Sequence, residues 1–201
     1  MYCFVGPTGY KVDTSAWNCK IYPPVRRGDI YNLVKKYKPS IIIIVDGVFH
    51  KYPAVLHKEI LAAISLGWRV VGCSSMGAIR ASELYPFGME GYGYCFRSFI
   101  ENGLDDDEVT LIHDEESYLP FSVPLINIRY YLENKLAEGK IDFNISNEII
   151  DFLKSLYYGD RTLTLIKKIF EDKEVDFDIN DFKNNYDIKQ DDFILCLKKY
   201  L

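Results

Sequence analysis

Ile41-Ile42-Ile43-Ile44-Val45, followed by Asp46-Gly47, is apolar on both faces of an extended chain. A strand without alternation is one covered on each side, as in a parallel sheet flanked by helices. Two more short runs share this character, Tyr2–Val5 before it and Arg69–Gly72 after it. Both are rich in β-branched or aromatic residues and stop at Gly or Pro. Two amphipathic stretches lie between the strands. Asp29–Tyr37 carries Ile30, Leu33, Val34 and Tyr37 on one helical face, with Asp29 as the expected N-cap. Ala54–Leu66 follows Pro53 and closes at Gly67, a C′ glycine. The order strand–helix–strand–helix–strand predicts an α/β fold, a small parallel β-sheet in a βαβαβ-type core with right-handed crossovers.

Beyond the third strand the spacing predicts a short helix over Met76–Leu84, ended by Pro86 and Gly88, and a further strand at Val109–Ile112. From Pro120 the pattern is helical, over Val123–Ala137, Asn147–Tyr157, Thr162–Glu171 and Asp191–Tyr200, with Lys173–Tyr186 as an acidic connector. The expected division is an α/β core over 1–118 and a helical C-terminal region over 119–201 packed on it.

At 201 residues with 48% hydrophobic content, the chain can build a sizeable core. A net charge of −5 argues against a nucleic-acid binder held by phosphate contacts. No apolar run approaches the ~18–20 residues of a membrane span. Met1–Pro7 has neither a basic segment nor a cleavage pattern, so a cytoplasmic protein is expected. The five cysteines form no Cys-x-x-Cys, and His50, His57 and His113 form no metal-ligand spacing. No metal site is expected.

The chemistry points to Val70-Val71-Gly72-Cys73-Ser74-Ser75-Met76-Gly77-Ala78, a strand running into small residues and then a helix. Such a turn lifts a serine hydroxyl above the sheet's carboxyl edge. The Met76 and Gly77 N–H groups would be unpaired first-turn donors facing an oxyanion, favoured by the helix dipole. The pattern is small-x-Ser-x-Gly, with Cys73 where the Gly of Gly-x-Ser-x-Gly stands, and a Ser-rich turn that merely caps a helix fits it equally well. Cys73 itself is a lesser candidate nucleophile.

A serine needs a base. His57 and Lys58 both lie near the start of the second amphipathic stretch, which a βαβαβ core brings to the ligand crevice. Taken alone, Lys58 reads as an exposed charge opposite Leu56, Ile60 and Ala63. Asp46, at a strand's carboxyl end, either faces a ligand or braces a loop. Arg80 and Glu83, at i, i+3, read as a surface ion pair. Asp105–Glu108 reads as solvated loop charge rather than a Mg²⁺ site. Between Lys11 and Lys38, seven basic residues stand against Asp13 and Asp29, which suggests an acidic partner surface.

The residues also resemble a known family. Phe4-Val5-Gly6-Pro7, Pro23-Pro24 with Gly28-Asp29, Asp46-Gly47-Val48-Phe49, Pro53-Ala54-Val55 and His57-Lys58-Glu59-Ile60-Leu61 are similar to landmarks of the TfuA-like family. So are Gly72 with Ser74–Leu84, Pro86-Phe87-Gly88-Met89, Gly91, Asp106-Asp107-Glu108-Val109 and Asn127-Ile128-Arg129. The likeness covers about Phe4 to Arg129. It implies a partner of a YcaO-type enzyme in backbone thioamidation of ribosomally made peptides; no cofactor is expected. It further implies a hydrolase releasing sulfide from a ThiS-type carrier protein with a C-terminal thiocarboxylate, through a Ser–Lys pair. Carried over, the pair is Ser75 and Lys58, with Ser74 as the alternative nucleophile. Met76, Gly77, Arg80 and Asp46 are then the expected oxyanion and substrate-binding residues. The competing readings are a non-catalytic adaptor that docks the YcaO enzyme and the carrier, and a nucleotide-binding domain. The nucleotide reading lacks both Gly-rich phosphate signatures.

Overall fold

The computed structural model describes residues 1–15, 17–47 and 52–200. Val48 and Phe49 of the family-like block, and His50, lie outside the described residues. Five strands form one parallel sheet: β1 (Tyr2–Phe4), β2 (Lys20–Tyr22), β3 (Ile41–Ile44), β4 (Arg69–Cys73) and β5 (Glu90–Tyr92), in the order β2-β1-β3-β4-β5. The α/β core and helical C-terminal region expected from the sequence are both present. The strands β2 and β5 were not expected, and Val109–Ile112 is not a strand.

The isoleucine run explains the layers. Ile42 and Ile44 point to one face, where they pack with Phe4 and Val70 against α1 (Asp29–Lys36), α2 (His57–Ser65) and α3 (Met76–Leu84). Ile43 and Val45 point to the other face with Cys3, Val71 and Cys73. That face is covered from the far end of the chain, by Phe193, Cys196 and Leu197 of α9 (Ile188–Tyr200). Each large apolar side chain so buried stabilises the fold by about 1.5–3 kcal/mol. Among its described residues the connection from β1 to β2 has no α-helix, and α9 supplies the layer that a crossover helix there would have given.

The chain divides into two compact units, residues 1–106 with 189–201, and residues 107–188. In the first, α4 (Gly93–Asn102) begins where Asp192 of α9 accepts hydrogen bonds from the Tyr94 and Cys95 N–H groups, both at 2.8 Å. Burial pushes this carboxyl up, against the pull of those two N–H groups. Gly93 sits at φ 94°, and any Cβ there would collide with the Asp192 carboxylate. Asp192→Ala is expected to cost about 1–2 kcal/mol, as the loss of a helix cap does. Chemical denaturation at unchanged m-value would read that loss.

The ends of α1 and α2 follow the sequence with one exchange. Gly28, at φ 92°, is the N-cap of α1, and Asp29 is its first helical residue, its carboxylate accepting from the Arg26 N–H. Gly67 closes α2 at φ 85°, as expected of a C′ glycine. Beyond α1, Lys20 donates to the Tyr37 hydroxyl at 3.0 Å and lies over the Tyr22 and Tyr37 rings. That hydrogen bond lowers the Tyr37 phenol from 10.0 to about 8. A lowered acid stabilises the folded chain above the unfolded value, an advantage lost as pH falls through about 8. Ultraviolet titration should find one tyrosine ionising near pH 8, absent in Lys20→Met.

The second unit holds α5 (Leu125–Ala137), α6 (Phe143–Ser155), α7 (Leu163–Asp172) and α8 (Ile179–Asn185) around Tyr131. Phe170, Phe177, Phe182 and Tyr186 meet the Tyr131 ring edge-on. The expected connector therefore contains a helix, with Asp178 as its N-cap. Asp107 and Glu108 are not solvated loop charge. Glu108 takes both arms of Arg129, and Asp107 is paired with Lys154 and the fully buried Arg161. Burial works against ionisation, yet those two cations hold the Asp107 carboxyl below its ordinary value.

Among the described residues no helix is long and apolar enough to cross a membrane, and no cluster of His, Cys, Asp or Glu could hold a metal ion.

Candidate active site

In this strand order the connections leaving β1 and β3 run to opposite sides, so the crevice at their carboxyl ends is the switch point where ligands bind in open α/β sheets. Asp46, just past β3, stitches it together. One carboxylate oxygen accepts from the Gly6 N–H at 2.8 Å and the Thr8 N–H at 3.0 Å, the other from the Thr8 hydroxyl at 2.7 Å. Of the two roles weighed for Asp46, these contacts are those of a brace.

Next along the same edge, β4 enters α3 through Ser74 and Ser75. Two glycines allow the close approach. A Cβ on Gly77 would overlap the Ile44 carbonyl, 2.6 Å from its carbon, and one on Gly72 would lie 2.7 Å from the Gly77 carbonyl carbon. The start of α3 thus rests directly on the backbone of β3 and β4. Gly47 is pressed in turn against the Met76 side chain.

The approach also decides which donors remain. Gly77 N–H, expected at the oxyanion, donates instead to the Val45 carbonyl at 3.1 Å. Ala78 and Ile79 N–H both donate to the Ser75 carbonyl. Among the described residues, Met76 is the first-turn residue whose N–H has no partner. The correction has a simple cause: a helix seated on a strand end turns one of its free donors onto that strand.

The serines differ in the same way. Ser74 is at φ 64°, a left-handed conformation costly for a non-glycine residue. It is fully buried, and its Oγ makes no hydrogen bond to an oxygen or nitrogen of the described residues. Ser75 stands at the N-cap with φ −121° and ψ −122°, is 4% exposed, and its hydroxyl makes no capping bond. The strain falls on Ser74, while Ser75 is the less completely buried of the two. Cys73 is fully packed, and burial pushes its thiol well above the ordinary range, which is unsuited to a thiolate nucleophile.

The remaining expected residues lie where α2 begins. Arg80 donates to the Val55 carbonyl at 3.3 Å and pairs with Glu83 at 2.6 Å, and Glu83 also meets His57 Nε2 at 2.7 Å. The Arg80 side chain is only 13% exposed, but Glu83 and His57 are 40% and 50% exposed, so the Arg80–Glu83 pair reaches the surface as expected, with His57 added to it. Glu59 is wholly buried, and its carboxylate accepts from the Gly28 N–H at 2.8 Å and the Leu56 N–H at 3.3 Å, tying α2 to the start of α1. Lys58 is exposed on the first turn of α2. No hydrogen bond joins it to Ser75 in the free chain. The His57–Glu83 contact and the Glu59 brace were missed by sequence reading, although His57, Glu59 and Glu83 all fall inside the family-like blocks.

Residues 46–162, more than half of the chain, match the family model described as TfuA-like protein. No curated protein matches the chain.

Proposed function

This chain belongs to the TfuA-like family, whose members accompany YcaO enzymes in backbone thioamidation, and on that premise we propose that it releases sulfide from a thiocarboxylated ThiS-type carrier protein. Ser75 is the nucleophile. The observation that supports this reading is the β4–α3 junction, where a serine hydroxyl that makes no capping bond sits at the sheet's carboxyl edge beside the Met76 N–H, which has no partner among the described residues.

The reaction then runs as an acyl transfer. Ser75 Oγ bonds to the thiocarboxylate carbon while the neutral amine of Lys58 takes the hydroxyl proton. The carbon–sulfur bond breaks, the electron pair leaves on sulfur, and the Lys58 proton follows it to give hydrosulfide. Water, deprotonated by the same amine, hydrolyses the Ser75 ester to the carrier's carboxylate. Met76 N–H and the positive end of α3 meet the oxyanion. Arg80 offsets part of the substrate's negative charge, the rest of its field being taken up by Glu83.

Lys58 stands in water in the free chain. Its use as a base requires the docked carrier to cover it, because removing water disfavours the ammonium form. Lys58→Met is expected to lower hydrosulfide release from a thiocarboxylated carrier on the order of 10²-fold or more, with the melting temperature held. Unchanged release would remove Lys58 from the mechanism.

The exposure of Lys58 favours a second reading, a non-catalytic adaptor docking the YcaO enzyme and the carrier. On that reading the purified chain releases no hydrosulfide, yet thioamidation still depends on it, and charge reversals across residues 11–38 abolish that support.

A further inference from the structure

A cavity of about 350 Å³ opens between α1 and the segment that follows β2. Its origin is local. Pro23 and Pro24 end β2 after three residues, because neither can donate to a strand ladder. The chain then swings out to Arg26 before α1 returns, leaving a gap over the sheet edge.

The two sides of this gap differ chemically. The floor is apolar, made of Phe4, Tyr22, Pro24 and Leu33, with the Phe4 and Tyr22 rings stacked at 5.2 Å. The rim is cationic, carrying Arg26 and Lys36, with Arg26 set by stacking on the Tyr52 ring at 4.0 Å. Asp29 is the acid among the lining residues, and its carboxylate already accepts the Arg26 backbone N–H. Lys20 stands close by, over the Tyr22 ring. A chain of net charge −5 thus concentrates positive charge around one apolar hollow.

We propose that this groove docks an extended acidic peptide segment of a partner protein, with an apolar side chain in the floor and carboxylates against Arg26 and Lys36. An apolar anchor with a charged surround is how peptide grooves combine affinity with selectivity. A nucleic acid fits poorly, since the rest of the chain is acidic and would repel a long polyanion. The wall of the groove is also tied to the switch-point edge: Val25 donates to the Asp46 carbonyl at 2.9 Å and bridges Gly47, which abuts Met76. A segment lying here approaches the carboxyl edge of the sheet. The inference does not rest on the hydrolase reading, because its test is binding alone.

The test is selection of a random-sequence displayed peptide library on the full chain. The expected result is enrichment of acidic sequences that contain an aromatic or aliphatic residue. A synthetic peptide of the enriched sequence should lose at least about tenfold in affinity on R26E/K36E, and should weaken as salt is raised. Asn32 is exposed on the lining, so Asn32→Trp should fill the hollow and abolish binding at an unchanged melting temperature. Recovery of basic or neutral sequences, of nothing, or of peptides that bind Asn32→Trp as well as the parent chain would overturn the proposal.

Discussion

Ser75→Ala should reduce hydrosulfide release from a thiocarboxylated carrier by at least about 10³-fold, with thermal unfolding left within a few degrees of the parent chain. The size follows from the chemistry, since no neighbouring hydroxyl can replace a nucleophile held at a helix start. Stability is spared because the Ser75 side chain makes no capping bond, so its removal leaves no partner unpaired. Ser74 is the internal control. Its Oγ is sealed and makes no hydrogen bond to an oxygen or nitrogen of the described residues, so Ser74→Ala leaves no such group unpaired and should keep release. Ser74→Gly should even stabilise the chain by about 1 kcal/mol, because glycine accepts φ 64° without strain. Loss in Ser74→Ala with retention in Ser75→Ala would move the nucleophile one residue back. Retention in both would end the hydrolase reading.

The largest expected effect on folding is that of Gly77→Ala. The added methyl group would overlap the Ile44 carbonyl, a backbone group with no rotamer to turn aside. β3 cannot retreat either, because it is hydrogen-bonded to β1 on one side and β4 on the other. The remaining escape is for α3 to lift from the sheet, which breaks the Gly77-to-Val45 hydrogen bond and loosens Met76 and Ala81 in the core. A cost above about 4 kcal/mol is expected, the range of severe overpacking. For a domain of this size that is a fall in melting temperature on the order of 10 °C or more. Gly28→Ala is the contrast, since a Cβ there meets nothing within 4 Å and only its φ of 92° opposes the change, at about 1 kcal/mol. Similar melting temperatures for the two variants would show that the α3–β3 contact does not constrain the fold.

What could be read in the residues followed from local signals. β1, β3 and β4 announce themselves as short β-branched or aromatic runs, and α1 to α3 as periodic stretches with their own stops, so their existence did not depend on neighbours. β2 and β5 carry no such signal. Lys20-Ile21-Tyr22 is largely exposed and Glu90-Gly91-Tyr92 holds a glycine, and each is a strand only because an open edge of the sheet lies beside it. The helix α8 was hidden in the same way, its Asn and Asp content reading as a connector while Phe182 and Tyr186 reach the Tyr131 cluster.

The tight strand-to-helix turn at 72–77 was legible because small residues between a strand and a helix mark a close junction, while the residues alone fitted a reactive serine and a plain helix cap equally well. Its working parts were not. That Gly77 N–H is occupied by Val45, that Asp46 faces the loop after β1, and that Asp192 caps a helix starting at Gly93 are facts about which backbone groups become neighbours. By itself the sequence determined the elements, because propensity and hydrophobic period act over a few residues. Tertiary structure alone decided which polar groups stay free for chemistry, because hydrogen-bond partners are assigned by chain segments tens of residues apart.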